Sequence, residues 1–207
     1  MKDALIRIVE AFHKYNSEHM AAQAFGLSED IVYDALVIAP SFSPYKLHME
    51  ENCTVTVLKE GAYIAGYLVE KDGLKIAWIK IGSSAGNLID HLSLCAELSF
   101  KRMIFIGAVG GLKKSIHLGD VCTPSIALEY THLDEIKAFD TDLIEMETSS
   151  FYLMTDLFEL PGIALLVVSD NSASEAALVG RTSEQLPQYD FGRNVILPDM
   201  ILTLVSE

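Results

Sequence analysis

Residues 102–121 read RMIFIGAVGGLKKSIHLGDV, and the reading of this stretch decides the fold. Its apolar run ends abruptly in Gly107, Gly110 and Gly111. That pattern predicts a buried strand running into a glycine turn. Glycines at a strand end let a flat ligand face approach the main chain, or they simply make the turn. GAVGG is not a GxGxxG fingerprint in a βαβ setting, so dinucleotide binding is a poor match.

Working outward, GIALLVVSDN (162–171) and DALVIAP (34–40) predict two more buried strands. TVTVLKE (54–60) and AYIAGYLVEKDGLKIAWIKIG (62–82) predict antiparallel strands, with Asp72-Gly73 as a tight hairpin turn. GDVCTPSIAL (119–128) reads as a further strand. Helical spacing marks residues 2–15, and a short helix from Ser17 to Phe25 would be capped by Ser17 and stopped by Gly26. The segment after Gly82 opens a helix with Leu88, Leu92, Cys95, Ala96 and Leu98 as its core stripe. Residues 143–160 and the closing VILPDMILTLVSE predict two more helices. The expectation is a single α/β domain spanning 34–207, with a mixed central sheet flanked by helices on both faces. Residues 1–33 would form an N-terminal helical extension.

The chain has 207 residues, is 50% hydrophobic and carries a formal charge of −14. That suffices for one buried core. With 15 Lys and Arg against 29 acids and no basic run, polymeric nucleic acid and anionic membrane are excluded as expected partners. Cys53, Cys95 and Cys122 lack CxxC spacing and read as reduced thiols of a cytoplasmic protein. No signal peptide or membrane span is expected. The six histidines lack HxH or HxxxH spacing, so no metal site is predicted.

In sheets of this kind ligands gather at the carboxyl ends of strands. APSFSPYK, IGSSAGN, FIGAVGG and VVSDN all place small or hydroxyl residues there. Gly82, Ser83 and Ser84 begin a helix whose free N–H groups attract an oxyanion, or form an ordinary Ser cap. Asp170 ends an apolar strand, where a desolvated carboxyl can hand over a proton, or it caps the next segment. Glu145 and Glu147 bracket Met146 beside an apolar segment, either as a solvated first turn or with one of them holding a ligand.

GAVGGLKKSIHLGDV (107–121), IEMETSSFYLM (144–154), LLVVSDN (165–171) and FGLSEDIVYDALVIAPS (25–41) stand in an order that resembles the nucleoside phosphorylase family. That family holds the purine and uridine phosphorylases and the methylthioadenosine nucleosidases. The resemblance implies cleavage of an N-ribosidic bond by phosphate, giving free base and ribose 1-phosphate, with hydrolysis or silent nucleoside binding as rivals. It implies that Glu147 accepts hydrogen bonds from the ribose hydroxyls with Met146 against the sugar. Glu145 would be structural. Asp170, oriented by Ser169, would meet purine N7, and Val109 and Gly110 would line the base. Ser41, Gly82, Ser83, Ser84, Ala108 and Arg181 would lie near phosphate, the co-substrate; no other cofactor is implied. A homo-oligomer (dimer, trimer or hexamer) is the family's habit.

Three departures stand against the resemblance. The family's phosphate arginine after the first strand is replaced within PSFSPYK, where Tyr45 and Lys46 are nearby. A second arginine position is Phe105, and the family's Ser/Thr after Gly107 is Ala108. The stretch from Asp120 to Glu145 is shorter than the family's, so base preference stays open between purine and pyrimidine.

Overall fold

The 103–111 run lies near the middle of an eight-stranded sheet. The structure, a computed structural model, describes residues 1–16, 18–128 and 140–207. In chain order the helices are α1 (Asp3–His13), α2 (Met20–Phe25), α3 (Ala85–Leu94), α4 (Thr148–Phe158), α5 (Gln185–Phe191) and α6 (Leu197–Ser206). The strands are β1 (Val32–Tyr33), β2 (Ala35–Ala39), β3 (Thr54–Lys59), β4 (Ala65–Lys71), β5 (Leu74–Lys80), β6 (Ser99–Phe100), β7 (Met103–Gly111), β8 (Val121–Cys122), β9 (Leu143–Ile144) and β10 (Gly162–Asn171). A π segment, Gly192–Ile196, joins α5 to α6.

The strand order is β3-β4-β5-β2-β7-β10-β8, with β9 paired to β7. The central pairs β5–β2, β2–β7 and β7–β10 are parallel, and the flanking pairs are antiparallel. This is the mixed sheet expected. The hairpin turn also forms as read, with Asp72 at φ 50 and Gly73 at φ 85. β1 pairs with β6 in a separate two-stranded sheet.

Alternation along β7 sends Met103, Phe105 and Val109 to one face and Ile104 and Ile106 to the other. The first face is covered by α1 to α4, through Leu5, Phe25, Leu88, Leu92, Phe151 and Met154. Thus α1 and α2, from the first 33 residues, share the core of the rest. The second face is covered by Phe42, Leu47, Tyr189, Leu197, Ile201 and Val205, mostly from α5 and α6.

Several boundaries differ from expectation. α2 begins at Met20 after His19 in the left-handed region; Ser17 lies outside the described residues, and Gly26 stops the helix as read. α3 ends at Leu94, because Ser99 and Phe100 are drawn into pairing with β1. The strand expected over 119–128 shrinks to Val121–Cys122, which pairs only with Leu166 and Val167. Residues 143–147 are not helical. Leu143 and Ile144 pair with Gly111 and Gly110, and α4 starts only at Thr148.

One backbone contact fixes the C-terminal layer. Gly119 and Gly192 meet so closely that a Cβ on Gly192 would stand 1.9 Å from the Gly119 carbonyl oxygen. Only glycine fits there. The contact sets the π segment beside the loop that leads into β8.

Candidate active site

The carboxyl ends of β2, β5, β7 and β10 converge. The amides of Ile81 and Gly82 donate to Ala39 and Pro40, at 3.0 Å each, and so extend the β2–β5 pairing past both strands. Gly82 (φ 75) and Ser84 (φ 144) turn the chain into α3, and Ser84 caps it by accepting from the Asn87 amide at 3.2 Å. Ser41 and Ser83 are exposed here. Ser41 follows β2, and Ala108 lies in β7, the strand paired with β2.

Ala108 is exposed in the middle of a strand whose neighbours Gly107 and Val109 are buried. By alternation it belongs to the face of α5 and α6, which leave this end of the sheet uncovered. Val109, expected against the base, is instead sealed at 1% exposure on the opposite face.

Asp170 reaches the open face by an irregularity. The β7–β10 register shifts between Val168 and Asp170, so Ser169 is extra and Asp170 pairs with Gly110. A bulge of this kind re-aims the residue that follows it. Without it Asp170 would fall on the covered face. A Cβ on Gly110 would lie 3.2 Å from Asp170 Oδ2, so glycine leaves the carboxyl its room. Ser169 Oγ donates to Asp170 Oδ1 at 2.7 Å, which fixes the direction of the carboxyl. Arg181 donates through Nε and Nη2 to the Ser169 carbonyl (3.1 and 2.5 Å) and stacks on the Tyr189 ring at 4.2 Å. Its charge is directed at the bulge.

The two glutamates have different jobs. Glu145 accepts from the amides of Glu147 (2.7 Å) and Thr148 (2.9 Å), and so caps α4 from outside. Glu147 is 6% exposed. Burial raises its pKa first, and the Glu145 charge raises it further; hydrogen bonds from the amides of Met146 and Ser84 oppose the shift. Glu147 therefore lies between the start of α4 and the start of α3. Among the described residues, its Oε1 and Thr148 Oγ1 are buried without a partner. Such groups are rare and call for a ligand or a water. Met146 beside it is 68% exposed.

Asn171 was not singled out in the sequence, yet it holds the tips of β7 and β10 together. Its Nδ2 donates to the Lys113 and Ile116 carbonyls at 2.7 Å each, and its Oδ1 accepts from the Ala173 amide at 2.8 Å. Asn171, not Asp170, caps the following turn. An Asn directly after a strand-end Asp was the available signal. Two surface cavities lie elsewhere. One of about 430 Å³ is lined by His13, His19, Glu29 and Glu97, the other of about 690 Å³ by Glu50, Glu70 and Lys75. Among the described residues no His, Cys, Asp and Glu cluster could hold a metal ion, and no helix is long and apolar enough to cross a membrane.

The architecture is that of nucleoside-cleaving enzymes of known structure. The chain is similar to an AMP nucleosidase from Bacteroides thetaiotaomicron, with a TM-score of 0.59, 16% identity, and coverage of 95% of this chain and 99% of that one. It is similar also to a purine nucleoside phosphorylase from Toxoplasma gondii solved with immucillin-H (TM-score 0.59, 15% identity, 84% of this chain and 95% of that one). No family model matches the sequence, and no curated protein matches it. At these identities the likeness establishes the fold.

Proposed function

We propose that this protein cleaves the N-glycosidic bond of a nucleoside, with phosphate as the attacking group. The observation that carries the reading is the bulge at Ser169. It sets a serine-oriented carboxyl over Gly110, on the same open face as Ala108. In this reaction a phosphate oxygen bonds to C1′ as the C1′–N bond breaks. The base leaves with the bonding electrons and takes up a proton. Asp170 donates to or shares a proton with the departing base, which lowers the barrier of an oxocarbenium-like state. Glu147 accepts from the ribose hydroxyls, and its unpartnered Oε1 is the acceptor available for them. Ser41, Ala108 and the Gly82–Ser84 turn frame the phosphate.

Hydrolysis is the second reading. Phe105 and Ala108 stand where phosphate ligands were expected from the resemblance, and one of the two fold relatives is named a nucleosidase. Turnover of inosine, adenosine, uridine and AMP, with and without phosphate, tests both. Release of base only with phosphate supports phosphorolysis; release in water alone supports hydrolysis. Nucleoside binding with no release under either condition rejects both.

A further inference from the structure

Two histidine–glutamate pairs that the proposed reaction does not use face a single cavity, lined by His13, Asn16, Glu18, His19, Glu29 and Glu97. His13 ends α1, and its Nε2 lies 3.0 Å from Glu97 Oε1. His19 precedes α2, and its Nδ1 lies 2.8 Å from Glu29 Oε2. Glu29 and Glu97 stand in the segments that lead into β1 and β6, the two strands of the small parallel sheet. Each pair therefore ties one end of the α1–α2 connection to the approach to one of these strands.

The backbone at both ends of the connection is specific. Asn16 closes α1 by donating its amide and its Nδ2 to the Phe12 carbonyl, at 2.9 Å each. His19 sits in the left-handed region at φ 64, which is uncommon for a residue other than glycine. Its carbonyl accepts from the Gln23 amide at 3.0 Å and so starts α2.

The charge around the cavity is one-sided. Glu18 faces it from the connection, Glu29 and Glu97 from the approaches to the small sheet, and no lysine or arginine lines it. The two imidazoles are its source of positive charge. Among the described residues Glu29 Oε1 is buried without a partner, so His19 on the other oxygen is what neutralises this carboxylate. With protonated imidazoles, both pairs are charge-assisted. With neutral ones, that assistance is lost and three carboxylates repel one another across a shared space. The bond to Glu29 and then the Glu29 charge raise His19 above the usual histidine range, and Glu18 and Glu97 add to the rise.

We propose that the α1–α2 connection is a proton-operated clip, closed over the cavity by His13–Glu97 and His19–Glu29 and opened when the imidazoles lose their protons. A group whose folded pKa is raised stabilises fully below its ordinary value, and that contribution is lost as pH rises through the raised one. The clip is therefore closed in mildly acid solution and released in mildly alkaline solution. Below about pH 4.5 the glutamates take up protons and the pairs weaken again. The clip does not depend on the proposed reaction.

Amide hydrogen exchange of the full chain, corrected for intrinsic exchange rates, tests the clip at about pH 6 and about pH 8.5. The reporters are the amides of Lys14, Tyr15 and Asn16 at the end of α1 and of Gln23 in α2, all bonded within those turns. The amides of β7 are the reference. In the wild type the reporters should lose about fivefold or more in protection between the two pH values, while β7 changes little. The double variant His13→Gln with His19→Gln keeps a donor at each place without the proton, and it should show the low protection at both pH values. His19→Gln alone should keep a smaller step, which decides the matter if the double variant does not fold. Equal reporter protection at the two pH values in the wild type overturns the proposal. So does a full step that survives in His19→Gln or in the double variant, and so does a step that β7 shares equally.

Discussion

The two faces of one strand end behave in opposite ways. On one side of β7, Val109 lies under the layer of α1 to α4, and the core continues to the edge of the sheet. On the other, Ala108 is exposed, and Asp170 lies over Gly110, two residues on. Both faces are apolar at Phe105 and Ile106, four and two residues back from Val109 and Ala108. The difference lies in what covers them. α4 begins at Thr148, close to the edge, while α5 and α6 are held back by the Gly119–Gly192 contact. A site arises where a helical layer stops short of the strand ends. Glu147 is buried at the start of α4, and the bulge in β10 turns Asp170 toward the open side.

The sharpest way to break this arrangement is to push the C-terminal layer away. Gly192→Ala would drive a methyl group into the Gly119 carbonyl. It should cost about 3 kcal/mol or more, seen as a large fall in Tm, and it should disturb the α5 and α6 layer before the α4 side. A wild-type Tm would mean that the contact does not set the layer.

The next largest effect is on chemistry. Asp170→Asn should slow release of a purine base by about 100-fold or more, with little change in stability. Uridine cleavage should fall less. An equal loss for both would remove the proton-sharing role at the base.

Glu147→Gln tests the covered side. The folded pKa of Glu147 is raised, so between its ordinary and its raised value the native state holds the extra proton. Stability then falls as pH rises through that window. The variant should therefore be more stable than wild type above the raised pKa, by about 1–3 kcal/mol. The gain should vanish at acid pH, where wild-type Glu147 is protonated too. Nucleoside binding should weaken at the same time. Thermal melts across pH check the first effect and titration the second; a pH-independent difference would show that the buried charge is not the cause.

The smallest effects compare neighbours. Val109→Thr should cost about 1–2 kcal/mol, because a hydroxyl enters the covered face. Ala108→Thr should stay within about 0.5 kcal/mol, because its side chain meets the open face. Similar losses at both positions would deny the difference between faces.

Much of the fold was legible in short patterns. The buried strands at 35–39, 103–111 and 162–171, the Asp72-Gly73 turn and the Ser84 cap all depend on neighbours in sequence. So does the capping job of Glu145, since the amides it serves lie two and three residues on. Other readings failed where a distant partner intervened. Residues 143–147 looked helical until Ile144 found Gly110, and 119–128 looked like a long strand although only Val121 and Cys122 meet β10.

Periodicity and turn chemistry, written in the order of residues alone, determined the sheet, the helices and the presence of acids at the strand ends. Tertiary structure alone decided which face each acid serves. A single extra residue at Ser169 reverses the side of Asp170, because side chains alternate along a strand. The neighbours of Glu147 are likewise set by how α3 and α4 pack, since the cost of burying a charge depends on every group around it and not on its place in the sequence.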